Sequence, residues 1–143
     1  MKPRIIFLSQ DAAERFTARV PYIVISMTTP GSSDARLPRS PFRRGVLRLS
    51  FHDLDKCPAS LRDRVELFTP LRGDKVVKFV RLHPEARLIV AHCEAGISRS
   101  AGVAAALAKV FHGDDSDYFR RACPNRRVYR EVLRAWRRRR EPA

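Results

Sequence analysis

Four short runs of the chain are rich in apolar and β-branched residues, the pattern expected of strands. Val46 to Phe51 shows the alternation of side chains that is typical of a strand. The other three runs are Arg4 to Leu8, Tyr22 to Met27 and Ala86 to Ala91. Prolines, serines and threonines crowd residues Thr28 to Pro41, which we expect to form a loop.

Helical signals occur between and after these runs, as capping residues or as apolar positions at helical spacing. The predicted helices are, in chain order, Asp11 to Phe16 capped by Ser9, a short helix capped by Ser60, Pro70 to Leu82, Ala101 to Phe111 ended by Gly113, and one or two helices over Asp117 to Arg140.

Strands that alternate with helices indicate an α/β fold with a central, mostly parallel sheet and helices on both faces. The 143 residues suit one compact domain, residues 1–143, with a basic tail at about 137–143. No apolar run approaches the length of a membrane span, and the N-terminus resembles a first strand more than a signal peptide.

One stretch, His92 to Ser100, combines several groups that bind or attack anions. It follows the fourth predicted strand and opens the alanine-rich helix, where free backbone N–H groups and the helix dipole favour negative charge. Cys93 begins the loop and Arg99 ends it. Between them lie Glu94, Ala95, Gly96, Ile97 and Ser98, whose N–H groups could form a nest for an oxyanion.

The two ends of this loop supply complementary chemistry. Arg99 carries a planar, permanently charged fork that binds two phosphate oxygens together. A cysteine at a helix N-terminus beside positive charge has a lowered pKa, so Cys93 is expected to be a thiolate beneath the anion. Gly96 suits a position where the backbone passes close to a ligand.

The sequence His-Cys-x5-Arg-Ser resembles the signature of the cysteine-dependent protein tyrosine phosphatases, and this version looks most like the dual-specificity branch. The resemblance implies a dual-specificity phosphatase-like fold and hydrolysis through a phosphocysteine intermediate without metal or cofactor. By position it makes Cys93 the nucleophile and Arg99 the phosphate clamp. Ser100 would assist departure of the thiolate, and His92 would help to keep the cysteine ionised.

The resemblance also implies a general acid on a separate loop after a strand. Phe51-His52-Asp53-Leu54-Asp55 stands there, without the Trp-Pro-Asp form of the larger tyrosine-specific enzymes. Asp53 is the first choice because it lies closest to the strand end, and Asp55 is the alternative. Either aspartate could instead cap a turn.

The favoured substrate is a phosphorylated protein, with phosphotyrosine first and phosphoserine or phosphothreonine as further targets. A phosphoinositide or an RNA 5′ end would need the same chemistry. Family members that take phosphoinositides often carry lysines in the five-residue loop, and this loop has none. A non-catalytic phosphate-binding module is the remaining alternative, although binding alone does not need a nucleophile.

Charge gives the second strong signal. The 29 lysines and arginines exceed the 15 acidic residues and give a net charge of +14. Such a surface attracts acidic partners, nucleic acid or an anionic membrane, although it also serves solubility. The run Arg137 to Arg140 concentrates this charge near the C-terminus.

The three cysteines lack the spacing of a disulfide framework or a metal site, which favours a reducing cytoplasm. Cys57 lies near the acid loop and could trap an oxidised Cys93 as a disulfide, but a packing role is the preferred interpretation. Cys123 is likewise expected to be structural.

Overall fold

Four parallel strands form the central sheet. The computed structural model describes residues 2–57, 59–61 and 63–139. Its strands are β1 (Arg4–Leu8), β2 (Tyr22–Thr28), β3 (Arg43–Ser50) and β4 (Leu88–His92), in the spatial order β1-β4-β2-β3. In the register of the sheet, His92 lies beside Leu8 on one side and Ser26 on the other. The carboxyl ends of the three adjoining strands therefore meet at His92.

Helices and turns connect the strands. The helices are α1 (Gln10–Ala13), α2 (Pro70–Arg81), α3 (Arg99–His112), α4 (Ser116–Arg121) and α5 (Arg126–Arg138), with a 3₁₀ turn at Ala59–Leu61. In the described part of the chain, no helix is long and apolar enough to cross a bilayer.

The two faces of the sheet bury different sets of side chains. Ile23, Ile25 and Met27 of β2 face the larger core, which also contains buried residues of α2, α3 and α5. Tyr22 and Val24 face the smaller core on the other side, covered by α1 and the extended segments around it. This alternation follows from the two-residue period of a strand. The predicted parallel α/β sheet with cover on both faces is confirmed.

Helix α5 lies close to both α2 and α3 because each supplies a glycine at the contact. A Cβ atom on Gly102 of α3 would lie 2.8 Å from the carbonyl oxygen of Asn125, and one on Gly73 of α2 would lie 2.7 Å from that of Glu131. Neither approach leaves room for a side chain. The start of α5 is thereby held against α3, the helix that follows residues 93–98.

Several predicted boundaries were wrong. β3 begins at Arg43 rather than Val46, because its register with β2 extends back to Tyr22. Helix α1 ends at Ala13 rather than Phe16. The N–H groups of Arg15 and Phe16 donate to the carbonyls three residues back, as in a 3₁₀ turn, instead of continuing the α-helical pattern.

The C-terminal region forms two helices, and the predicted tail begins inside the second of them. Arg137 and Arg138 belong to α5, while residues 140–143 of the predicted tail lie outside the described residues. Where a short helix capped by Ser60 was expected, the described residues form a 3₁₀ turn at Ala59–Leu61.

Candidate active site

Residues 93–98 form a loop between β4 and α3 at the carboxyl edge of the sheet. The loop is held from outside, because its carbonyl groups accept hydrogen bonds from backbone N–H groups of surrounding elements. These bonds run from Gln10 to Glu94 (3.1 Å), from Cys123 to Ile97 (3.1 Å) and from Asn125 to Ser98 (2.9 Å). A loop whose carbonyls point outward directs its N–H groups toward the centre, as an anion-binding nest requires.

Gly96 is the one loop position that admits no other residue without strain. Its φ of 73° lies in the left-handed region, and a Cβ atom there would be 2.4 Å from the backbone nitrogen of Ser9. Its own N–H donates to the Cys93 sulfur over 3.3 Å. The backbone of the loop thus turns directly around the sulfur.

The Cys93 sulfur is buried, with only 2% of the residue exposed, yet the pKa of its thiol lies below the ordinary value. Burial alone raises that pKa. It is outweighed by hydrogen bonds from the Ser100 hydroxyl, at 3.2 Å, and from the backbone N–H groups of Ser100 and Gly96, with the charge of Arg99 adding to them. The site therefore stabilises a thiolate, the form of cysteine that attacks an electrophile.

Arg99 is 95% buried and fixed along one edge of its guanidinium. Nη1 donates to the Phe51 carbonyl (2.9 Å) and to the Thr29 hydroxyl (3.0 Å). Nε has no hydrogen-bond partner among the described residues, and Nη2 lies 3.9 Å from the Glu94 carboxylate. A buried donor without a partner is costly, so this second edge suits a bidentate oxyanion ligand.

His92 lies below the loop and is fully buried. Its Nε2 lies 2.6 Å from the Ser26 hydroxyl, which also accepts from Nη1 of Arg48 at 3.3 Å, and its Nδ1 lies 3.4 Å from the Cys93 carbonyl. Burial lowers the pKa of His92, and the positive charge of Arg48 lowers it further, against the hydrogen bond to Cys93. We expect a neutral ring.

These contacts also select the tautomer of that neutral ring. The Cys93 carbonyl can only accept, so the donor of that contact is Nδ1, and the Ser26 hydroxyl, while it accepts from Arg48, donates to Nε2. Nδ1 then carries the ring proton and donates it to the Cys93 carbonyl. Ser26 and Arg48 therefore act through His92 to hold the backbone of Cys93 in place.

Replacing Ser26 by alanine should release this tautomer. Without the hydroxyl, Nε2 no longer receives a proton donor, and the population of His92 protonated at Nε2 should rise. The buried ring left with an unmade bond should lower the free energy of unfolding by about 1–3 kcal/mol. Imidazole ¹⁵N shifts of His92 and a denaturant titration measure the two effects, with Ser50→Ala at the exposed end of β3 as the control. Protonation at Nε2 in the wild-type protein would contradict the assignment.

The structure places the two candidate acids differently. Asp53 reaches the loop, where its Oδ1 accepts from the Ser98 hydroxyl at 2.7 Å and from the Asn125 side-chain amide at 2.9 Å. Asp55 faces α5 instead, with its carboxylate 3.7 Å from Nη2 of Arg130 and its carbonyl bound to Nε of Arg127 at 2.7 Å. Of these two aspartates, Asp53 is therefore the one that is hydrogen-bonded to the loop at residues 93–98.

Asn125 is a site residue that the sequence did not reveal. It caps α5 through a bond from the Val128 N–H to its Oδ1 (3.1 Å), and its amide holds Asp53 at the same time. In the sequence, Asn125 lies within Asp117 to Arg140, for which we predicted only one or two helices. Its second role depends on a residue 72 positions away, which no local pattern indicates.

The other two cysteines differ in exposure. Cys57 is half-buried, and Cys123 is exposed with its backbone N–H bound to the Ile97 carbonyl. A redox role for either stays a prediction. Within residues 2–57, 59–61 and 63–139, no three His, Cys, Asp or Glu side chains cluster as metal ligands would.

No family model matches the sequence, and no curated protein matches it significantly. Solved structures do resemble its fold. A variant of human DUSP28 aligns with a TM-score of 0.55 and 19% identity, over 96% of this chain and 92% of that one. PTPMT1 in complex with PI(5)P gives a TM-score of 0.55 and 15% identity, over 94% and 91%.

Tk-PTP in its active form aligns with a TM-score of 0.53 and 17% identity, over 94% of this chain and 92% of that one. Identities this low establish the shared fold and no more. The expectation of a dual-specificity phosphatase-like fold is confirmed.

Proposed function

We propose that the chain hydrolyses phosphate monoesters on protein side chains through a phosphocysteine intermediate. One observation carries this proposal: a cysteine sulfur with a lowered pKa lies beneath the N-terminus of α3, beside a buried arginine whose Nε has no partner among the described residues. The fold shared with DUSP28 and Tk-PTP adds support.

In the first step, the phosphoryl oxygens bind the inward N–H groups of the loop and the Nε/Nη2 edge of Arg99. The Cys93 thiolate attacks phosphorus, a P–S bond forms, and the P–O bond to the leaving group breaks. Negative charge spreads over three equatorial oxygens in the transition state, where these fixed donors stabilise it.

Asp53 completes the reaction in this proposal. Held by Ser98 and Asn125, it donates a proton to the departing oxygen, and the resulting carboxylate then takes a proton from the attacking water. Water breaks the P–S bond and inorganic phosphate leaves. The Ser100 hydroxyl, 3.2 Å from the sulfur, stabilises the thiolate that is released.

The rim of the loop favours protein phosphate over more highly charged substrates. Glu94 is exposed and its carboxylate lies 3.9 Å from Nη2 of Arg99, while Ala95 and Ile97 add no positive charge. A second phosphate near the rim would meet a carboxylate. PTPMT1 was solved with PI(5)P, so a phosphoinositide is the second candidate substrate.

A panel of substrates tests this proposal. We expect hydrolysis of an aryl phosphate and of phosphotyrosine peptides, with lower kcat/KM for phosphoinositides and for RNA bearing a 5′ triphosphate. A higher kcat/KM for phosphoinositides or for the RNA would instead identify that molecule as the substrate class. Tight binding of phosphopeptides without turnover would instead indicate a non-catalytic binding module.

The two aspartates can be distinguished by replacing each with asparagine and measuring how the loss of activity depends on the leaving group. Protonation matters most for a poor leaving group, and a positioned acid contributes about 10²-fold or more. Asp53→Asn should therefore lower kcat/KM for a phosphopeptide about 10²-fold and lower it far less for an activated aryl phosphate, since kcat/KM reports the step that forms phosphocysteine; the basic limb of its pH profile should also disappear. Asp55→Asn is the matched control and should show neither effect. The reverse pattern would assign the acid to Asp55.

A further inference from the structure

Helix α5 presents a row of arginines on its exposed face. They flank a groove of about 350 Å³, which we call the α5 groove, lined by Arg126, Tyr129, Arg130, Leu133, Arg134 and Arg137. Arg126, Arg130 and Arg134 are spaced four residues apart, so they lie above one another along the helix. Tyr129 and Leu133 are half-buried and form a less polar floor.

Two of these four arginines are left without a carboxylate partner in the described part of the chain. Arg126 and Arg137 have no carboxylate within ion-pair distance among the described residues, and Arg130 has only Asp55 at 3.7 Å. Arg134 is committed, because it pairs at 3.0 Å with the buried carboxylate of Glu131. The groove therefore carries a net positive charge available to a partner.

The α5 groove begins at the active site. Asn125, which precedes Arg126, holds the Asp53 carboxylate, and Arg127 and Arg130 contact Asp55 two residues further along the acid loop. A substrate whose phosphate enters the loop would extend past these residues. The groove is thus placed to contact the residues that flank a phosphorylated side chain.

We propose that the α5 groove binds an acidic segment of the phosphoprotein substrate, next to the phosphorylated residue. This inference rests on the proposed function and adds a substrate class to it: phosphosites flanked by glutamate or aspartate. Arg126 and Arg137 are about 16 Å apart along the helix axis, the length of roughly five residues of extended peptide. Alternate side chains of such a peptide repeat at nearly the spacing of the arginines, and guanidinium groups pair well with carboxylates.

The aromatic residues beside the groove disfavour nucleic acid as its occupant. Single-stranded binding uses open aromatic faces on which bases stack. Here the guanidinium of Arg126 lies 5.8 Å over the ring of Phe119, that of Arg81 lies 4.4 Å over Trp136, and Tyr129 packs edge-on against Phe119. The Tyr129 hydroxyl is also bound to the Asp115 carboxylate, which holds the ring in this edge-on position.

The test compares two triple variants that remove equal charge. Arg126→Gln/Arg130→Gln/Arg137→Gln empties the groove of its available charge and retains Arg134 for Glu131. The control, Arg4→Gln/Arg19→Gln/Arg44→Gln, changes three exposed arginines near the amino ends of β1, β2 and β3, at the opposite edge of the sheet. Two probes are used: a phosphotyrosine peptide flanked by glutamates and the same peptide flanked by glutamines.

In the wild-type protein we expect kcat/KM to be higher for the glutamate peptide, and this preference to vanish at high ionic strength. In the groove variant the ratio of kcat/KM for the two peptides should fall roughly fivefold to tenfold, as the loss of three solvent-exposed ion pairs allows. The control should keep the wild-type ratio. Equal loss in both variants, or in neither, would overturn the proposal. If the triple variant does not fold, the single variants Arg126→Gln and Arg137→Gln should each show part of the loss.

Binding of the unphosphorylated glutamate peptide, measured by fluorescence anisotropy, separates this proposal from the proposed function. Groove-dependent binding with no turnover of any phosphomonoester would support the groove and refute the phosphatase. Turnover with no preference for the glutamate peptide would support the phosphatase and refute the groove. An RNA oligonucleotide or anionic vesicles are added as competitors in the same assay. If the groove variant no longer binds the competitor but still prefers the glutamate peptide, the groove belongs to that other partner.

Discussion

Cys93→Ser is expected to abolish hydrolysis of every phosphomonoester while phosphate binding is retained. The serine hydroxyl is not ionised near neutral pH, so the nucleophile is lost, whereas the loop N–H groups and Arg99 remain. Turnover of an aryl phosphate and binding of a phosphotyrosine peptide measure the two properties separately. Cys123→Ser, at an exposed position, is the control and should behave as the wild-type protein does.

The reactivity of the Cys93 sulfur can also be measured in the wild-type protein without any substrate. Because the pKa of the Cys93 thiol lies below its ordinary value, alkylation by iodoacetamide should reach half its maximal rate at a lower pH than alkylation of a simple thiol. Residual turnover of the serine variant at more than a trace of the wild-type rate would exclude Cys93 as the nucleophile.

Arg99→Lys is expected to lower kcat/KM about 10³-fold although the positive charge is kept. The guanidinium uses Nη1 to hold the Phe51 carbonyl and the Thr29 hydroxyl, and this leaves the Nε/Nη2 edge aligned for two phosphoryl oxygens. An ammonium group cannot make both sets of bonds. Loss of a single preorganised donor already costs about 10²–10³ in rate.

The kinetic signature of that loss is specific. An interaction that strengthens in the transition state lowers kcat and kcat/KM together, whereas ground-state binding alone would raise KM. Arg44→Lys, on the exposed edge strand β3, is the matched control. A near-normal kcat in Arg99→Lys would show that the guanidinium does not contact the phosphoryl group during its transfer.

The loop at residues 93–98, between a strand and a helix, could be predicted from the sequence because its signals are local. His92 to Ser100 are contiguous, and a strand followed by a helix places their N–H groups at one point. The strands were located for the same reason, since a dense run of Ile and Val such as that in β2 indicates a strand without knowledge of its neighbours.

The supports of the loop could not be predicted, because each joins residues distant in sequence. Ser26 and His92 are 66 positions apart, and Phe51 and Arg99 are 48 apart. Ser98 illustrates the limit at one residue. Its place before α3 suits a helix cap, yet its hydroxyl donates to Asp53 and leaves the helix without a side-chain cap. Only the packing of the acid loop against α3 and α5 decides between these roles.

Capture of the covalent intermediate tests the central claim most directly. Asp53→Asn should form phosphocysteine rapidly from an activated aryl phosphate, which departs without a proton, and should hydrolyse it slowly because the base for water is missing. Protein denatured during turnover and digested should carry one added phosphoryl group on the peptide that contains Cys93. A phosphoryl group on another residue, or unmodified protein during active turnover, would contradict the account.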